Sequence, residues 1–103
     1  MKIVINSHKQ TQNALNILLK TMKIYDEFND YDVIVIVSGC ETEYETITEG
    51  NITFIYSNIE KLDFKGIRTF MELYHDDKEE YYYYMNDTCK ISSRFFKKLA
   101  TFC

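Results

Sequence analysis

Five consecutive β-branched residues, Val33-Ile34-Val35-Ile36-Val37, constrain the fold of this chain more than any other stretch. Successive side chains of a strand point to opposite faces, so a run that is apolar at every position needs cover on both sides. Such a strand belongs at the centre of a mostly parallel sheet flanked by helices. It runs into Ser38-Gly39-Cys40, where glycine permits a tight turn or the close approach of a ligand.

The segments on either side supply what that strand needs. Lys2 to Asn6 is a short apolar run that reads as a first strand, with Ser7, His8 and Lys9 in the loop at its carboxyl end. From Thr11, an expected N-cap, Ala14, Leu15, Leu18, Leu19 and Met22 recur at the spacing of an amphipathic helix. Asp26 to Asp32 is acidic and turn-like. Glu41 to Gly50 holds four glutamates and three threonines without a sustained apolar period, and reads as a solvated loop or a short, poorly packed helix. After the turn signal Gly50-Asn51, Ile52 to Tyr56 forms a third strand that closes in Ser57-Asn58. Across Gly66 to Asp76, the residues Ile67, Phe70, Met71 and Tyr74 make one buried helical stripe.

Glu80 to Met85, with its four tyrosines, reads as the fourth strand, because aromatic residues favour a pleated surface. Ser92 or Ser93 can cap a last helix with Phe95, Phe96, Leu99 and Phe102 on its apolar face, a stripe suited to contact with another half or another chain. Alternation of this kind implies right-handed βαβ units. The expected fold is therefore α/β, a three-layer α/β/α domain over residues 1–103 with a mostly parallel, Rossmann-like sheet of about four strands.

Charge and cysteine usage narrow the function. A net charge of −4 and the presence of only two arginines argue against a nucleic-acid surface, which relies on clustered basic residues. No stretch approaches the roughly 20 apolar residues of a membrane span, and the opening Met1-Lys2-Ile3-Val4-Ile5-Asn6 is too short in apolar residues for a secretory leader, so a cytoplasmic location is expected. The three cysteines, Cys40, Cys89 and Cys103, are widely spaced without a paired motif, which points to reduced thiols. The absence of proline and the abundance of Ile, Lys, Asn and Tyr match AT-rich coding. The nine tyrosines therefore carry no functional weight by number.

In open α/β sheets, ligands bind in the crevice beyond the carboxyl ends of the strands. Asp87 stands at such an end, directly after the tyrosine strand, and is a candidate site residue on that ground alone; capping of the following loop or helix is its structural alternative. The cluster Asn86-Asp87-Thr88-Cys89 resembles the acidic motif that follows the fourth strand of GT-A-fold nucleotide-sugar glycosyltransferases. The order of elements is similar to the nucleotide-binding half of that fold over nearly the whole chain.

The resemblance implies binding of a nucleotide diphosphate sugar, with Mn²⁺ or Mg²⁺ held by Asn86, Asp87 and Thr88 and bridging the two phosphates. This sequence departs from the family pattern in having a single acid. Read as Asp87-Thr88-Cys89, the triplet would set a soft thiol where a hard oxygen is wanted. The resemblance further implies that Ser7, His8, Ser38 and Gly39 face the nucleotide, and that Arg68 approaches the diphosphate or the sugar. Read from its neighbours instead, Arg68 extends to solvent or pairs with Glu72. Acceptor binding and any catalytic base would fall to a C-terminal half or to a second chain. The alternative function is a catalytically inactive α/β interaction module.

Overall fold

The computed structural model describes residues 2–60, 66, 69, 71, 82–92 and 94–100. The fold is α/β, built on one mixed sheet. In chain order it comprises β1 (Lys2–His8), α1 (Gln12–Met22), β2 (Asp32–Ser38), β3 (Tyr44–Glu49), β4 (Ile52–Ser57), β5 (Tyr82–Asn86) and α2 (Phe95–Ala100). The strands lie in the order β3-β4-β2-β1-β5. β4, β2, β1 and β5 are parallel, and β3 alone runs antiparallel, paired with β4.

The β-branched run does what its composition requires. Val33, Val35 and Val37 face one core, together with Ile3 and Ile5 of β1 and Met85 of β5. Over them pack Leu15, Leu18, Leu19 and Met22 of α1, Phe28, and Phe96 and Leu99 of α2. Ile34 and Ile36 face the opposite side with Val4 and Ile55, where Met71 is buried against them. Met71, Gly66 and Thr69 are helical, and the other residues expected in that helix, Ile67, Phe70 and Tyr74 among them, lie outside the described residues.

The sheet has five strands where the sequence pattern suggested about four. The addition is β3, taken from the sequence as loop or poor helix. All six of its residues are exposed, so neither face shows the apolar alternation by which a half-buried strand is recognised. Its pairing comes from the hairpin. Gly50 takes φ +59° and Asn51 keeps a negative φ, which is the pattern of a two-residue II′ connection that fits the strand twist. The Asn51 amide then donates to the carbonyls of Phe28 and Tyr31 at 2.9 and 2.8 Å, tying the turn to the end of the α1–β2 connection. Glutamates along this edge discourage pairing with another chain.

Other differences are smaller. β1 runs two residues beyond Asn6, because Ser7 and His8 still pair with Val37 and Ser38 of β2. The acidic segment before β2 forms a short 3-10 turn, Asp26–Asp30, that drives Phe28 into the core. Ala14 is only half-buried, and the other four members of its stripe are buried. The apolar stripe of the last helix is not free for a partner at Phe96 and Leu99, which are 3 % and 2 % exposed. Phe95 packs edge-on against Tyr83 with ring centroids 5.8 Å apart, and Phe102 lies outside the described residues.

This topology creates one special position. From β1 the chain moves to β2 on one side, and β5 later pairs on the other side of β1. The carboxyl ends of β1 and β5 thus flank the point at which the strand order reverses, where open sheets leave a crevice.

Candidate functional site

The parallel strands finish in a row of small polar side chains. Ser7 near the end of β1, Ser38 at the end of β2 and Ser57 at the end of β4 are each almost fully buried, and Asp87 follows β5 at 6 % exposure. Apolar strands cannot continue outward past the sheet, and short hydroxyls let the chain turn while supplying hydrogen bonds to its own backbone. Ser38 Oγ donates to the Ser7 carbonyl at 3.2 Å, and Ser57 Oγ accepts from the Ile59 amide at 3.3 Å.

Asp87 is held from both sides of the β1 exit. Its amide donates to the Asn6 carbonyl at 3.0 Å, continuing the ladder one step past β5. Its Oδ2 accepts from Ser7 Oγ at 2.9 Å and from Thr11 Oγ1 at 2.5 Å. Thr11 Oγ1 also lies 3.1 Å from the His8 carbonyl. With one hydrogen to give, it serves the nearer and charged acceptor. Neither donor carries a charge, so the carboxylate is oriented without being neutralised. Its Oδ1 has no partner among the described residues and is not sealed from solvent.

Thr11 corrects an expectation. It occupies the N-cap position of α1, as its residue type suggested, yet its side chain makes no capping bond to that helix and is turned to Asp87 and to the His8 amide instead. His8 takes over as cap of the 3-10 turn Lys9–Thr11, with Nδ1 accepting from the Gln10 amide at 3.0 Å. An accepting Nδ1 leaves the hydrogen on Nε2, which donates to the Glu60 carbonyl at 2.8 Å. The ring therefore joins the loop after β1 to the loop after β4. It also lies over Gly39, where a Cβ would come within 2.5 Å of Nε2. Gly39 takes φ +78° and donates from its amide to the Ile59 carbonyl at 2.6 Å.

These groups enclose a crevice of about 340 Å³ lined by Asn6, Ser7, His8, Gln10, Thr11, Ser38, Glu60, Asn86, Asp87 and Thr88. Six residues singled out from the sequence, Ser7, His8, Ser38, Asn86, Asp87 and Thr88, thus share one concavity. Gly39 lies beneath His8 and does not line it. Arg68 lies outside the described residues. Asn6, Gln10, Thr11 and Glu60 were not anticipated as site residues. A β-strand exit followed by a Thr three residues after a His is too common a pattern to single out, and Glu60 enters through its loop.

The chemistry of the lining is anionic. Asp87 and Glu60 are acids, and none of the described residues that line the crevice is a lysine or arginine. A diphosphate placed beside Asp87 thus needs a cation between them. The open Oδ1 on an otherwise fixed carboxylate suits a hard divalent ion, since Mg²⁺ sites commonly use one or two carboxylates and complete their shell with water and phosphate oxygens. The Oδ1 of half-buried Asn86, which accepts from Asn6 Nδ2 at 3.4 Å, and the hydroxyl of exposed Thr88 are the neutral oxygens nearest in sequence. Among the described residues no three His, Cys, Asp or Glu side chains cluster as a self-sufficient metal cage. Any ion here depends on ligand oxygens.

Among the described residues, no helix is long and apolar enough to cross a membrane. No family model, curated protein or solved structure matches this chain.

Proposed function

We propose that the crevice between β1 and β5 binds a nucleotide diphosphate sugar, and that the chain is the donor-binding half of a glycosyltransferase-like domain. The observation that carries this reading is Asp87, a buried carboxylate at the reversal point of the strand order, oriented through one oxygen with the other left open. The parallel order β4-β2-β1-β5 supports it, as does the placement of Ser7, Ser38 and Asn86 around a single opening.

In this reading Asp87 would hold Mn²⁺ or Mg²⁺, with Asn86 and Thr88 as neighbouring oxygen donors. Bound there, the ion supplies positive charge to the leaving diphosphate. Ser7 and Ser38 form the buried floor, and their hydroxyls are committed to the protein. His8 shapes the wall, and both its ring nitrogens are committed to backbone groups, so it meets a ligand by its ring rather than by a hydrogen bond. In this reading the helical residues Gly66, Thr69 and Met71, of which Met71 is buried against the second sheet face, would belong to the third layer of a Rossmann-like half-domain in a cytoplasmic protein.

Calorimetric titration with UDP, GDP and UDP-glucose, each with and without Mn²⁺, tests the reading. Binding that tightens with metal and is lost in Asp87→Ala is the expected result. A folded protein that binds none of the three under either condition would sink it, in favour of an interaction module.

A further inference from the structure

We infer that Ser7 and Thr11 are positioning residues for the metal and diphosphate, acting through Asp87. This rests on the donor-site reading above. Both hydroxyls converge on the same oxygen, Oδ2, at 2.9 and 2.5 Å, and they reach it from different elements, the end of β1 and the start of α1. Two donors on one oxygen fix the carboxylate plane and leave the opposite oxygen as the one presented to a ligand.

The orientation of Thr11 is itself determined. The His8 amide donates to Thr11 Oγ1 at 3.2 Å, which occupies a lone pair and leaves the hydroxyl hydrogen for Asp87. Ser7 is 3 % exposed, so water does not compete for its hydroxyl. Both donors are neutral and bring no positive charge to the carboxylate, whereas a lysine or arginine in either place would. Outer hydrogen bonds of this kind orient metal-binding carboxylates, and their loss typically weakens metal affinity about 10–100-fold.

The test is the dissociation constant for Mn²⁺ at saturating UDP, or GDP where that nucleotide is the tighter, measured by calorimetry on the full chain. Ser7→Ala and Thr11→Val are each expected to weaken Mn²⁺ binding about tenfold or more. Thr11→Ser, which keeps the hydroxyl, is expected to bind as the wild type does. Recovery of binding in Thr11→Ser separates aiming of Asp87 from general damage at that position, and circular dichroism establishes that each variant is folded. Wild-type Mn²⁺ binding that Ser7→Ala and Thr11→Val leave intact overturns the positioning roles alone. A Thr11→Ser variant as weak as Thr11→Val overturns the role of that hydroxyl. No Mn²⁺ binding by the wild type overturns the inference together with the reading on which it rests.

Discussion

Ser7 and Asp87 are 80 positions apart in the chain, yet the serine hydroxyl donates to the aspartate carboxylate across 2.9 Å at the ends of neighbouring parallel strands. The contact is buried, so its loss affects folding as well as binding. Replacement of Asp87 by alanine leaves the Ser7 hydroxyl without its acceptor, while Thr11 can turn to the His8 carbonyl already 3.1 Å away. Stripping the acceptor from one buried donor costs about 1–3 kcal/mol. Urea unfolding of Asp87→Ala should show a loss in that range, and Asp87→Asn, which retains an acceptor oxygen, a smaller one.

The two glycines with positive φ should respond differently to alanine. At Gly50, φ is +59° and a Cβ would meet nothing within 4 Å, so the cost is that of a left-handed residue alone, about 1–2 kcal/mol. At Gly39 the same conformational cost is joined by a clash with the His8 ring, which is held at both nitrogens and cannot easily move aside. Gly39→Ala should therefore lower the urea midpoint well below that of Gly50→Ala. Equal midpoints would show that the ring gives way freely.

Asn51 carries two backbone carbonyls, those of Phe28 and Tyr31, on one side-chain amide. Asn51→Ala should cost about 1–3 kcal/mol, since two acceptors lose their donor at a half-buried position. Asn51→Asp should be no better, because a carboxylate presents only acceptors to those carbonyls. Thermal unfolding of the pair checks this.

Tyr56 provides a pH dependence of known sign. Burial first, and then the negative charges of Cys40, Glu49 and Glu45, raise its pKa above the ordinary value of 10.0. The folded state thus holds the phenolic proton more tightly than the unfolded chain does. Its contribution to stability is fully present below pH 10 and is lost as the pH rises through the folded value. The difference in unfolding free energy between wild type and Tyr56→Phe should be flat at neutral pH and should move against the wild type above pH 10. A difference independent of pH to strongly alkaline conditions would contradict it.

The sequence was most legible where burial imposed a period. β2 announced itself through five β-branched residues, and α1 through Leu15, Leu18, Leu19 and Met22, because a core leaves few alternatives at those positions. β3 was illegible for the opposite reason: with both faces exposed, Tyr44–Glu49 has no inside and no outside, and only its partner strand and the Gly50–Asn51 turn define it. At the site, strand ends could be ranked by their polar letters, which brought Ser7, Ser38 and Asp87 forward. Thr11 was read for what its residue type does locally, as a helix cap, whereas its hydroxyl answers to a carboxylate 76 positions away. Local propensity has no information about that distance.

The neighbours of β1 also set an order of events during synthesis. β2 is available soon after β1 is made, whereas β5 begins at Tyr82, so the other side of β1 waits for its partner. At roughly 5–20 residues per second the wait lasts a few seconds. During that interval the backbone groups of Ile3, Val4 and Ile5 that later meet β5 form an open edge on an apolar strand, able to pair with the same edge of a neighbouring nascent chain. Yield of native protein should therefore be governed by crowding of ribosomes on the message and by temperature as much as by the stability of the finished domain.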